Sequence, residues 1–162
     1  MKPINTLLTI LFISLLSSPS WSVTIDDLVK REGLYYKQFT DAPFTGKVTG
    51  NKQGALKSGK KEGAWVSYWE TGQVQTKGNY KNGKKEGAWV RYHANGGLMG
   101  KSNYKNGSLE GAGLTYYDNG QLWIRSNFKN NKREGAWITY RMDGTVNKAY
   151  SGTYKNGVKI SD

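Results

Sequence analysis

Four glutamates recur at a fixed step of 24 residues: Glu62, Glu86, Glu110 and Glu134. A row of carboxylates is raw material for general acid–base chemistry. Copies two strands apart would lie about 10 Å from one another. A retaining glycosidase needs roughly 5–5.5 Å, and this spacing only reaches the upper inverting limit. Each glutamate precedes a glycine in a turn, so a structural role is expected: pairing with a nearby lysine or accepting a turn amide. His93 is the only histidine, and there is no cysteine. No second soft ligand completes a zinc-type site, and no nucleophile and orienting acid complete a triad. His93 is therefore expected to be an exposed bystander. The glycine-rich stretches Gly78–Gly83 and Gly96-Gly97 lack both GxxxxGK[ST] and a strand–loop–helix frame, which removes a phosphate loop. With no acid–base–nucleophile set, no metal ligands and no cofactor motif, an enzyme is not expected.

The residues left with something to do are aromatic and basic. Trp65, Trp69, Trp89, Trp123 and Trp137 stand beside Gln, Asn and Lys. With Arg91, Lys84, Lys85, Lys101 and Lys105 they form a candidate binding surface for a peptide strand, a sugar ring or a membrane interface. The alternative is a second packing layer of a twisted sheet, with lysine stems lying over the rings.

The elements that position these residues are repeats. Residues 60–83, 84–107, 108–131 and 132–157 are four copies of one unit, the last carrying two inserted residues. A degenerate copy and a cap occupy 23–59, and 158–162 is a tail. Each unit holds two turn signals, such as Asn95-Gly96 with Asn106-Gly107, or Asp143-Gly144 with Asn156-Gly157. Asn-Gly and Asp-Gly suit the left-handed angles of tight hairpins. Gly63, Gly87, Gly96, Gly111, Gly120, Gly135 and Gly144 are the structural turn and repeat glycines. Between the turns the sequence alternates with period two, as in Ala88, Val90 and Tyr92 against Trp89, Arg91 and His93. Alternation predicts one inner face of Ala64, Val66, Tyr68, Val74 and Tyr80, and an outer face holding the tryptophans. Thr24–Lys30 predicts a short capping helix, with Thr24 at its N-cap.

The first 22 residues have the form of a signal peptide. Lys2 precedes the apolar run Leu7–Leu16, and Ser20 and Ser22 allow cleavage before Val23. The chain carries 24 Lys+Arg against 12 Asp+Glu, a net charge of +12. In an exported protein, periplasmic or secreted, that charge is expected either to form a solvated face that keeps the sheet soluble and its edges unpaired, or to meet an envelope glycan, an anionic lipid surface or an acidic protein rather than nucleic acid.

The string Gly78–Gly96 (GNYKNGKKEGAWVRYHANG) resembles a MORN repeat. The tandem units resemble the MORN-repeat-variant family, whose members are often labelled YwqK-family antitoxins. Gly83, Lys84, Gly87, Trp89, Tyr92, Asn95 and Gly96 match, with equivalents at 24-residue steps. Gly113 stands where Trp is expected, Asn131 where Gly is expected and Thr71 where Asn is expected. The resemblance implies an all-β fold: an elongated, twisted antiparallel β-meander of tandem MORN-like hairpins. It also implies a non-catalytic protein-binding role, with a toxin or an envelope protein as partner. A surface binder of envelope glycan, lipopolysaccharide or anionic lipid is the alternative.

Overall fold

A computed structural model describes residues 22–162. The expected signal peptide lies outside the described residues, apart from Ser22. The described residues are nearly all β and form an antiparallel meander. A two-stranded sheet pairs β1 (Leu28–Arg31) with β2 (Leu34–Lys37). The main sheet has 13 strands. It begins with β3 (Gly46–Val48), β4 (Lys52–Lys57), β5 (Lys60–Tyr68), β6 (Val74–Lys81), β7 (Lys84–Tyr92) and β8 (Leu98–Lys105). It continues through β9 (Ser108–Leu109), β10 (Gly111–Tyr116), β11 (Leu122–Lys129), β12 (Lys132–Arg133) and β13 (Gly135–Thr139). It ends with β14 (Gly152–Lys155) and β15 (Val158–Ser161), so residues 158–161 form an edge strand rather than a bare tail.

Local chemistry explains the turns. Asn82 and Gly83 take φ of +51° and +79°, the paired left-handed angles of a two-residue hairpin that follows strand twist. Asn131, in the place of a glycine, accepts φ of +67°, as asparagine does more readily than most residues. The glycine after each repeated glutamate has a different task. Gly87 sits at φ +67° with open space where a side chain would be. Beside it the β6–β7 register slips between Lys77 and Asn79, so Gly87 forms a bulge in the strand.

The expected capping helix is a correction. Only Ile25–Asp27 turns, as one 3-10 turn, and Leu28–Arg31 is already strand. Thr24 and Asp27 form a reciprocal capping box there. Val29 and Leu28 obey strand alternation: Leu28 is buried and Val29 exposed. Leu28 joins Ile25, Val48, Leu56 and Trp65 in a compact core at the N-terminal end of the main sheet.

The expected division of faces is also corrected. Trp65 lies opposite Gly78, and Gly63 opposite Tyr80, so Tyr80 shares the tryptophan face. Alternation within each strand is as expected. The register shift between Ser67 and Tyr68 changes the parity carried across the turn, and turn geometry decides that shift. Trp65 and Trp89 are buried at 3% and 6% exposure, while Ala64 and Ala88 are exposed. The tryptophan face is thus the packed face.

Candidate functional site

On that face three of the four units repeat a three-part stack. In the first, the Lys61 ammonium lies 4.2 Å from the centre of the Trp65 ring and 5.1 Å from that of Tyr80. In the second, Lys85 lies 4.3 Å from Trp89 and 4.8 Å from Tyr104. In the fourth, the Arg133 guanidinium lies 3.9 Å from Trp137 and 5.1 Å from Tyr154. The rings meet edge to face, Tyr80 and Trp89 at 5.0 Å and 82°. This arrangement and a cation over a ring are both favourable to the ring quadrupole. Burial lowers the Lys61 pKa below its ordinary 10.5, with the positive charges of Lys52, Lys30 and Lys85 adding to it. Burial first, then Arg91, lowers that of Lys85.

Two of the tryptophans have a specific seat. Trp65 covers Gly54 and donates its indole N–H to the Ala55 carbonyl at 3.1 Å. Trp89 covers Gly78 and donates to the Asn79 carbonyl at 3.1 Å. At the equivalent position below Trp137 stands Ser126, and Trp137 is only half-buried.

The third unit replaces all three members of the stack. Leu109, Gly113 and Phe128 stand where a cation, a tryptophan and a tyrosine stand elsewhere. The result is a groove of about 280 Å³ bounded by Tyr104, Phe128, Trp137, Lys85 and Arg91. Next to it, a cleft of about 410 Å³ is lined by Tyr117, Trp123, Trp137, Tyr140, Tyr150 and Tyr154, with Arg133 and Lys159 at its margin. Trp123 stacks on Tyr117 at 5.5 Å and 28° and stays 41% exposed. One wall of the cleft comes from Lys148–Tyr150, a 3-10 turn within the fourth unit, the one that carries the two-residue insertion.

The candidate surface is therefore split. Lys85 and Arg91 share the face of Trp89, because they pair with Tyr80 and with Thr76 and Gly100. Lys84, Lys101 and Lys105 lie on the opposite face, where Lys101 opposes Val90 and Leu114. Trp65 and Trp89 are structural, and Trp69 is half-buried with its N–H on the Tyr92 carbonyl at 3.3 Å. Tyr117, Arg133, Tyr140 and Tyr150 line the candidate cleft and are not among the residues expected from the sequence. The signals for them were the inserted residues and the Gly113 departure.

The acid row and the histidine are structural too. Glu62, Glu86, Glu110 and Glu134 accept the backbone amides of Asn82, Asn106, Asn130 and Asn156 at 2.7–3.0 Å. Each clamps the hairpin turn of its own unit. His93 is not a bystander. It is half-buried, and its Nε2 lies 3.2 Å from the Tyr116 carbonyl. Trp69, His93 and Tyr117 occupy one repeat position and bond carbonyls at Tyr92, Tyr116 and Tyr140, which ties successive units together.

Comparison with known families fits this geometry. The model described as MORN repeat variant matches residues 61–82, 85–106 and 109–130. Each of the three matched segments is similar to one MORN-variant repeat. MORN repeats are a non-enzymatic family generally involved in protein or membrane binding. The matched segments are the first three full units; the fourth, with its insertion, falls outside them. No curated protein matches the chain.

Proposed function

We propose that this is a non-catalytic, exported interaction protein that captures an acidic protein partner on its tryptophan face. One observation carries the reading. Lys61, Lys85, Arg91 and Arg133 line that face, while the four repeated glutamates are committed to turn amides. Among the described residues the ion pairs are Arg31–Asp41 and Lys159–Asp162, both outside the tandem units. Cations without local counter-charges favour an acidic partner and speed its encounter. A periplasmic or secreted toxin, or an envelope protein, is the partner class this reading names.

The test is capture from envelope extracts by the wild-type chain and by an Arg91→Glu/Lys85→Glu variant. The reading expects an acidic protein retained by the first and lost by the second, with retention falling as salt rises. Equal capture by both, or none by the wild type, overturns it.

A second reading is binding of envelope glycan, lipopolysaccharide or anionic lipid. The cleft around exposed Trp123 favours it, because aromatic faces receive the apolar face of a sugar ring. It expects Trp123→Ala to release the chain from glycan resin or anionic liposomes.

A further inference from the structure

We propose that the groove over Gly113 is an anchor site for one aromatic side chain of the partner, held beside a carboxylate of the same partner segment. The inference rests on the protein-partner reading above and names what the partner must offer.

The repeat itself defines the shape. In the first two units the corresponding space holds the chain's own indole, over Gly54 and Gly78. In the third unit the strands keep the same frame, with Gly113 opposite Ser126 as Trp89 is opposite Ser102. The ring is missing, and Ser102 stands where Gly78 lies beneath Trp89. The space, about 280 Å³, falls just below the roughly 300–1,000 Å³ of small-molecule pockets, so it suits one side chain. Its walls present what Trp89 and Trp137 already meet. Trp89 has the ring of Tyr104 at 6.2 Å and 75°, and Trp137 has that of Phe128 at 5.7 Å and 85°. Tyr104, Phe128 and Trp137 all border the groove. A ring entering it finds edge-to-face partners in place.

Charge selects the segment that carries the ring. Lys85 and Arg91 stand at the rim, no carboxylate lines the groove, and neither cation has an ion-pair partner among the described residues. Aromatic anchors in pockets with charged rims are the usual centre of protein recognition. A carboxylate next to the anchor would reach the rim cations, whereas a basic neighbour would be repelled.

The probe is the tripeptide Glu-Trp-Glu, blocked at both ends, titrated into the isotope-labelled protein and followed by amide NMR. Shifts centred on Gly113, Ser126 and Phe128 are expected. Lys-Trp-Lys and Glu-Ala-Glu are expected to give little response there. Arg91→Glu, at an exposed position, is expected to weaken Glu-Trp-Glu roughly two- to fivefold. The variant Ser102→Gly/Gly113→Trp rebuilds the glycine-and-tryptophan seat of the earlier units, fills the groove and is expected to abolish the response. Shifts centred on Trp123, an equal response to Lys-Trp-Lys, or an unchanged response in a folded filled variant overturns the proposal. If the filled variant does not fold, the peptide comparison and Arg91→Glu decide it. Capture from extracts separates the two ideas. A filled variant that still captures the partner overturns the anchor alone. A wild type that captures nothing overturns the wider reading, and the peptide titration still decides the groove.

Discussion

The ring of Trp89 occupies the space in which a side chain at Gly78 would stand: a Cβ there would overlap the indole carbons. Gly78 belongs to the unit before Trp89, so this contact ties one repeat to the next. The same relationship joins Gly54 to Trp65.

Gly78→Ala therefore overfills a packed contact and is expected to cost about 1–3 kcal/mol. Gly120→Val tests another cause. Gly120 has φ +85° and open space around it, so the cost there is backbone strain alone, about 1–2 kcal/mol. Thermal or urea unfolding of both variants checks the pair. A Gly78→Ala protein as stable as wild type would contradict the close approach.

Trp89→Ala removes a buried ring and its hydrogen bond, so a loss of about 3–5 kcal/mol is expected. It is a stability variant and not a probe of binding. Trp123→Ala, at a partly exposed position, is expected to leave the melting temperature within a few degrees while changing what the cleft retains. Circular dichroism melts beside a retention assay separate the two.

Glu86→Gln keeps the shape of the side chain and removes its charge. The bond to the Asn106 amide is charge-assisted, so a loss of about 1 kcal/mol is expected. Faster hydrogen exchange at the Asn106 amide is the direct measurement. Glu62, Glu110 and Glu134 should behave alike, at Asn82, Asn130 and Asn156.

The half-buried Lys61 and Tyr80 predict two opposing pH effects. Lys61 titrates below 10.5 in the folded chain, chiefly because of burial. Between that lowered value and 10.5 the unfolded chain holds a proton that the folded chain has released, so stability rises with pH. Tyr80 titrates above its ordinary 10.0, again chiefly from burial. Above 10.0 the folded chain keeps a proton that the unfolded chain loses, so stability falls. Urea midpoints from pH 8 upward should show a smaller rising component in Lys61→Gln, the remainder coming from Lys85, and should keep the falling one.

Most of the fold was legible in the residue order. Asn82-Gly83 and its equivalents announce turns because few other pairs accept two left-handed residues in succession. Period-two runs between them announce strands. The candidate site was legible only in part. Trp65 and Trp89 alternate with Val66 and Val90 in a way that fits either face, and parity cannot be carried across a turn whose bulge is unseen. Thr24–Lys30 carries real N-cap chemistry, but a segment this short is decided by its neighbours. Leu28 gains more by joining Val48 and Leu56 in the core than a single helical turn could return.

By itself the sequence determined the hairpin turns and the residues that recur, because these depend on local backbone preference and on counting. Only the tertiary structure decided which face is packed, where each glutamate sends its carboxylate and what the loss of one tryptophan leaves behind. Those outcomes depend on register between strands and on contacts 20 or more residues apart, such as Glu86 with Asn106 and His93 with Tyr116. No local pattern contains that distance.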